Sequence, residues 1–188
     1  NTNMARILPI SNGDLMVNFD RHYNLRDIYY PLIGQENHGM GCLSRLGFFI
    51  DNSFTWISDD QWQRDLHFIK ETMATGVSAC NRQLGLNVSI NDIIDVGRPV
   101  YLRKIVVSNL LDRERQLNIF FHNDLSISGH AIGDTAYFEP DMKALIHYKG
   151  KRYFLFNILF RGKRGFDSYA TGIKYRGGSK GTWFDAED

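Results

Sequence analysis

This sequence predicts an all-β chain of short strands, a β-sandwich or barrel, on three observations. Apolar and polar residues alternate with a period of two; in the clearest run Leu86, Val88 and Ile90 alternate with Asn87, Ser89 and Asn91. Turn residues punctuate the chain about every eight to twelve residues, the spacing of short strands in a sandwich or barrel. Aspartate outnumbers glutamate sixteen to five, the glutamates being Glu36, Glu71, Glu114, Glu139 and Glu187. Aspartate favours turns, whereas glutamate favours helices.

The elements follow in order. Residues 15–19 read as a first strand after the turn Asn12-Gly13-Asp14. Residues 20–24 are polar and bend the chain. A second strand, 25–30, must stop at Pro31. A loop at 34–41 carries Gln35, Glu36, Asn37 and His38, and 42–50 is a third strand. Asp51-Asn52-Ser53 turns the chain into Phe54-Thr55-Trp56. Segment 58–73 is ambiguous. Trp62, Leu66, Ile69 and Met73 have helical spacing, and Asp59 or Asp60 suits a helix cap. The β-branched and glycine-containing sequence after it favours strands. The expectation is at most one helical turn near Asp60, a strand from about Leu66, and another at 73–79.

The stretch 100–127 organises this reading. Its two β-rich runs flank a charged turn, Asp112-Arg113-Glu114, and read as a hairpin. In the second run Leu117, Ile119, Phe121, Leu125 and Ile127 fall on one side. Gln116, Asn118, His122, Asp124 and Ser126 fall on the other, with Phe120 the exception. The first run is apolar on both sides, with Val100, Leu102 and Val106 against Tyr101, Ile105 and Val107. It is expected mid-sheet, covered on both faces. Two strands are not stable alone, so the rest of the chain supplies further strands and a second layer. A loop at 128–134 follows, then a strand at 135–138 ending before Pro140. Strands at 144–148 and 151–157 flank Lys149-Gly150 as a two-residue turn. Residues 169–175 are the last predicted strand, 176–180 read as flexible, and 182–188 end polar and acidic.

At 188 residues the chain suits one β-domain, 4–176, with a flexible end at 177–188. Lysine plus arginine (22) nearly balances aspartate plus glutamate (21), so no nucleic-acid or membrane-surface partner is expected. Cys42 and Cys80 have no metal-ligand spacing and read as free thiols of a reducing compartment. No apolar run approaches the ~20 residues of a membrane helix. No signal peptide is recognised. Asn1-Thr2-Asn3 ahead of Met4 looks like a cloning remnant, which makes Met4 the natural start and a cytoplasmic location the expectation.

Motifs of chemistry are sparse. There is no phosphate-binding glycine loop, nucleophile elbow, C-x-x-C or H-E-x-x-H, and no cofactor or metal is expected. His22, His38, His67, His122, His130 and His147 have no metal-ligand spacing. Each reads more simply as a surface or hydrogen-bonded histidine. His122 stands out because it shares the polar side of its strand with Asp124. Facing a groove, the two would meet a ligand; on a solvated sheet face they would not. Inverting glycoside hydrolysis needs two carboxyl groups roughly 6.5–9.5 Å apart, and the sequence assigns no such pair. Trp56, Trp62, Tyr29, Tyr30 and Trp183 suit stacking on sugar rings, with core or interface packing as the simpler role.

Seven stretches carry a family resemblance: MARILPISNGDLMVNFD, YNLRDIYYPLIGQENH, VYLRKIVVSN, DRERQLNIFFHNDLSI, GDTAYFEP, ALIHYKGKRYFLF and YATGIKYRGGSKGTWFDAED. Together, in co-linear order over nearly the whole chain, they resemble the N-terminal domain of prokaryotic glucoamylase-type enzymes, glycoside hydrolase family 15. The resemblance implies a galactose-mutarotase-like β-supersandwich. It implies that catalysis resides in a later (α/α)6 barrel, where two glutamates perform inverting hydrolysis of α-glucosidic bonds. No catalytic residue carries over to this chain. The implied partners are that barrel, from the same parent chain, and an α-glucan oligosaccharide. Family members continue where this chain stops, so it reads as a fragment or a short gene product. The choice among starch, dextran and trehalose belongs to the barrel.

Tyr29, Tyr30, Gln35, Glu36, Asn37 and His38 form the best candidate surface for domain or sugar contact, since a proline-stopped strand delivers a polar loop. The competing role for Glu36 and His38 is to tie the loop down. The alternative reading is a stand-alone carbohydrate-binding or mutarotase-like domain. It requires His122 or His147 to converge with Glu139 or Asp124 in a groove.

Overall fold

A computed structural model describes residues 6–130 and 132–172. These residues are all-β, with antiparallel strands and a short 3-10 turn at Ile127–Gly129. The chain divides into two compact units, Asn1–Gly129 and His130–Asp188.

The first unit holds β1 (Ile10–Ser11), β2 (Met16–Phe19), β3 (Leu25–Tyr29), β4 (Arg45–Ile50), β5 (Ser53–Trp56), β6 (Gln63–Phe68), β7 (Thr75–Asn81), β8 (Leu86–Ile94), β9 (Tyr101–Asn109) and β10 (Leu117–His122). Their sheets have the orders β1-β2-β3, β10-β4-β5 and β6-β7-β8-β9. The four-stranded sheet shows the period of two most cleanly. Leu86, Val88, Ile90 and Asp92 of β8 are buried, while Ser89 and Ile93 are exposed. Thr75, Val77, Ala79 and Asn81 of β7 point inward in the same phase. Against this face packs β1, and Phe19 of β2 meets Tyr101 at a centroid distance of 6.5 Å. Phe48 of β4 meets Trp62, just before β6, at 5.2 Å. The core is therefore the slab between two sheet layers. Each large aliphatic or aromatic chain buried there contributes about 1.5–3 kcal/mol.

β4 starts at Arg45 rather than at residue 42, because Cys42 N–H turns back to the Gly39 carbonyl at 2.8 Å. No helical turn forms at Asp60. Asp59 Oδ2 instead accepts from Trp56 N–H (2.8 Å) and Thr55 Oγ1 (3.1 Å), and β6 begins at Gln63. The helical spacing from Trp62 to Met73 is coincidental: Trp62 is core, whereas Ile69 and Met73 are exposed at a hairpin tip.

The expected hairpin between the two runs of 100–127 does not form. β9 pairs with β8 in an unbroken register from Leu86↔Asn109 to Ile94↔Tyr101. β10 leaves that sheet and pairs with β4, from Leu117↔Ile50 to His122↔Arg45. Nor is β9 mid-sheet. Among the described residues it is the edge strand, and its outer residues Leu102 and Val106 are 49% and 48% exposed. The charged link between β9 and β10 is a crossover between sheets, held by Arg115. This nearly buried side chain donates to the Leu84 (2.7 Å) and Gly85 (3.0 Å) carbonyls and reaches Asp51 at 3.1 Å.

The second unit contains β11 (Thr135–Glu139), β12 (Ala144–Lys149), β13 (Arg152–Phe156), β14 (Leu159–Phe160) and β15 (Lys163–Arg164). The first three form a meander with β12 in the middle. Lys149 pairs with Arg152, so the tight turn is Gly150-Lys151, one residue later than expected. Gly150 has φ +56°, the left-handed conformation such a turn demands. The expected strand at 169–175 is not a strand over 169–172; its remainder lies outside the described residues, as do Trp183 and the 177–188 end.

Candidate functional site

The candidate loop follows β3 and is built around two buried polar residues. Asp27 accepts from Arg6 Nε (2.7 Å), Asn37 Nδ2 (2.7 Å) and Asn18 Nδ2 (3.2 Å). Burial pushes its carboxyl up, but hydrogen bonds from Arg6, Asn37 and Asn18 together outweigh that and hold it below the ordinary range. Asn37 Oδ1 in turn accepts from the backbone N–H of Gly39 at 2.9 Å.

His38 is fully buried. Its Nε2–H donates to the Tyr30 carbonyl at 2.7 Å, and its Nδ1 accepts from Ser128 N–H at 3.0 Å. That pair of roles specifies the neutral Nε2–H tautomer. The His38 backbone bonds Ile28 on one side and Ser126 on the other, each at 2.8 Å. His38 therefore fastens the loop to β3 and to the segment after β10. Tyr29 pairs with Asn37, Tyr30 N–H donates to the Glu36 carbonyl (3.2 Å), and Gln35 is exposed. The loop residues come together around anchors, as the tie-down reading holds for His38.

His122 and Asp124 belong to a different place. His122 ends β10 opposite Arg45. Its neighbours on that face are aromatic. Trp56 meets His122 edge-on at 6.1 Å, Phe54 meets Trp56 at 4.9 Å and Phe120 at 5.6 Å, and the Arg45 guanidinium sits 5.7 Å from the Trp56 ring centre. Gly47 makes room for this: a Cβ there would lie 2.6 Å from the Phe54 ring. Phe120, on the polar side of its strand, thus belongs to a half-buried aromatic patch around His122, while Gln116 and Asn118 on the same side are exposed. Burial lowers the His122 pKa, opposed by Asp124 and assisted by Arg45. His122 Nδ1 is buried with no hydrogen-bond partner among the described residues.

His147 and Glu139 do not converge on the meander. The register pairs His147 with Ala136 and Glu139 with Ala144, which puts the two side chains on opposite faces of the sheet. His147 meets Phe156 edge-on at 5.2 Å. Cys42 and Cys80 are free thiols.

Sequence reasoning missed the most elaborate constellation, centred on Asp92. This fully buried carboxylate accepts from Tyr23 Oη (2.7 Å), Thr75 Oγ1 (2.8 Å), Arg103 Nε (2.8 Å) and the Tyr101 hydroxyl. The Arg103 guanidinium lies 4.9–5.5 Å from the ring centres of Tyr23, Phe19 and Tyr101. Burial pushes the Asp92 pKa up, and the Arg103 charge and the donated hydrogen bonds bring it below the ordinary value. A general acid of glycoside hydrolysis needs the opposite, a carboxyl held protonated. Asp92 and Asp27 are therefore ionised anchors that fix β8, β9 and the β3 loop. The signal was available: Asp92 falls in phase with Leu86, Val88 and Ile90, which marks a carboxylate pointing into the core.

No known protein-family profile matches the chain. No solved structure matches it. An uncharacterized glycosyl hydrolase of Methanocaldococcus jannaschii is 25% identical over 166 residues, which cover 88% of this chain. The chain spans about a quarter of that relative's length.

Proposed function

We propose that this chain is a non-catalytic β-module of a glycoside hydrolase related to family 15, acting on α-glucosidic bonds. In this reading it packs against and supports an (α/α)6 catalytic barrel contributed by the rest of a longer polypeptide. The observation that carries it is the proportion of the match: nearly the whole chain aligns with a quarter of a protein described as a glycosyl hydrolase. The chemistry agrees. Asp27 and Asp92, the buried carboxylates with lowered pKa, are engaged by cations, amides and hydroxyls as anchors rather than poised as acids. The test is incubation of the purified chain with maltotriose. No glucose release is expected, and release at enzyme-like rates sinks the proposal.

A second reading, carbohydrate binding without hydrolysis, is favoured by the face of Arg45, Trp56 and His122, since aromatic rings beside polar groups suit sugar stacking. Titration with maltooligosaccharides followed by NMR separates the two. Unchanged binding in His122→Ala counts against this second reading.

A further inference from the structure

The four-stranded sheet ends abruptly at β9. Among the described residues no strand pairs with its second edge. That edge is nine residues long, free of proline and unbroken by any bulge. Soluble proteins normally shorten, bend or cover such an edge.

The core is unfinished on the same side. Val88 and Ile90 of β8 are fully buried, yet their register partners Val107 and Ile105 on β9 are only half-buried. The outer face is apolar too, where Leu102 and Val106 of β9 stand beside Ile93, itself 42% exposed and opposite Leu102. Arg103 does not guard the edge, because it is turned inward onto Asp92. Lys104 is the one charged side chain β9 shows outward.

We propose that the β9 edge is an acceptor for a further strand supplied by polypeptide outside these 188 residues. This rests on the reading of the chain as one module of a longer hydrolase. The incoming strand has apolar residues on both faces. One set extends the core past Ile105 and Val107, and the other covers Leu102 and Val106. The length ratio supports this occupant, since the relative has three times as much chain again beyond the aligned quarter. Backbone pairing gives the affinity and the alternating side chains the register.

The experiment compares amide hydrogen exchange across 101–109 in the 188-residue chain and in the product of the uninterrupted natural reading frame. In the short chain the β9 amides turned away from β8 exchange fast, and in the longer protein they slow by about a hundredfold or more. Leu102→Lys with Val106→Lys, on an exposed face, leaves the short chain folded and reverses that protection in the long one. Equal, fast exchange in a longer protein that hydrolyses α-glucosides overturns the acceptor edge while leaving the hydrolase reading intact. Protection that appears in the short chain only as its concentration rises identifies a second copy as the occupant and also overturns it. A longer protein with a protected edge and no hydrolase activity removes the hydrolase reading alone. A reading frame that encodes no further chain removes both.

Discussion

Arg115 Nε and Nη2 both donate to the single side-chain oxygen of Asn109, at 3.0 and 2.6 Å. Asn109 ends β9 and Arg115 precedes β10, so this pair sets the geometry of the crossover between sheets. The Asn109 amide returns the contact by donating to the Arg113 carbonyl at 2.6 Å. The Arg115 side chain is 2% exposed, and its remaining donors reach Leu84, Gly85 and Asp51. Arg115→Met removes five hydrogen bonds made by one nearly buried side chain and is expected to cost about 3–5 kcal/mol. Arg115→Lys keeps the charge but loses the planar fork, and recovers less than half of that. Urea unfolding midpoints measure both. A loss below about 0.5 kcal/mol for Arg115→Met, the size of an ordinary surface change, refutes the clasp.

The Asp92–Arg103 pair makes a separate prediction. Asp92→Asn leaves the buried guanidinium without its counter-charge and is expected to destabilise by about 3–5 kcal/mol. Arg103→Met alone strands the carboxylate and costs a similar amount. The double variant is expected to lose clearly less than the sum, because neither charge is then left alone. The sign with pH follows from the lowered folded pKa of Asp92. Its stabilisation is present above the ordinary carboxylate range and is lost as pH falls through the folded value. The acid limb of stability against pH is therefore flatter in Asp92→Asn than in the parent chain. Additive single costs in chemical denaturation refute the coupling.

Much of the fold was legible because strand periodicity reports burial directly. Residues 86–91 gave the inward face of β8, and Pro31 gave the end of β3. Pairing was not legible. Nothing in the periods of β9 and β10 distinguishes a hairpin from a crossover, because the partners, β8 and β4, lie elsewhere in the chain. The apolar outer face of β9 read as a covered strand because period alone cannot tell a mid-sheet position from an edge. For the candidate site, the proline-stopped strand and polar loop read as a contact surface, and tying the loop down was only the competing role for His38. Its partner Ser128, ninety residues away, was not.

His38 carries the third prediction. His38→Ala removes the acceptor of Ser128 N–H and the donor to the Tyr30 carbonyl, and it opens a void. A cost of about 2–4 kcal/mol is expected from lost hydrogen bonds and cavity together. The discriminating readout is local. Amide exchange at Ser126 and Ser128 accelerates more than exchange across β7 and β8. Uniform acceleration across all of these means that His38 is ordinary core filling and does not fasten the loop.

His122 makes the fourth prediction, through pH. Its folded pKa is lowered, chiefly by burial, so above the ordinary histidine value the ring is neutral in both folded and unfolded chains and carries no penalty. As pH falls through about 6.5, the unfolded chain takes up a proton that the folded chain resists, and stability drops. Replacing the ring with another apolar aromatic removes that proton without emptying the space beside Trp56. In His122→Phe the fall in stability between pH 7 and pH 5 is therefore expected to shrink relative to the parent chain. The difference between the two curves isolates His122 from the other histidines. Parallel curves over that range mean that the ring titrates alike in both states, and that its burial against Trp56 and Arg45 has no electrostatic consequence.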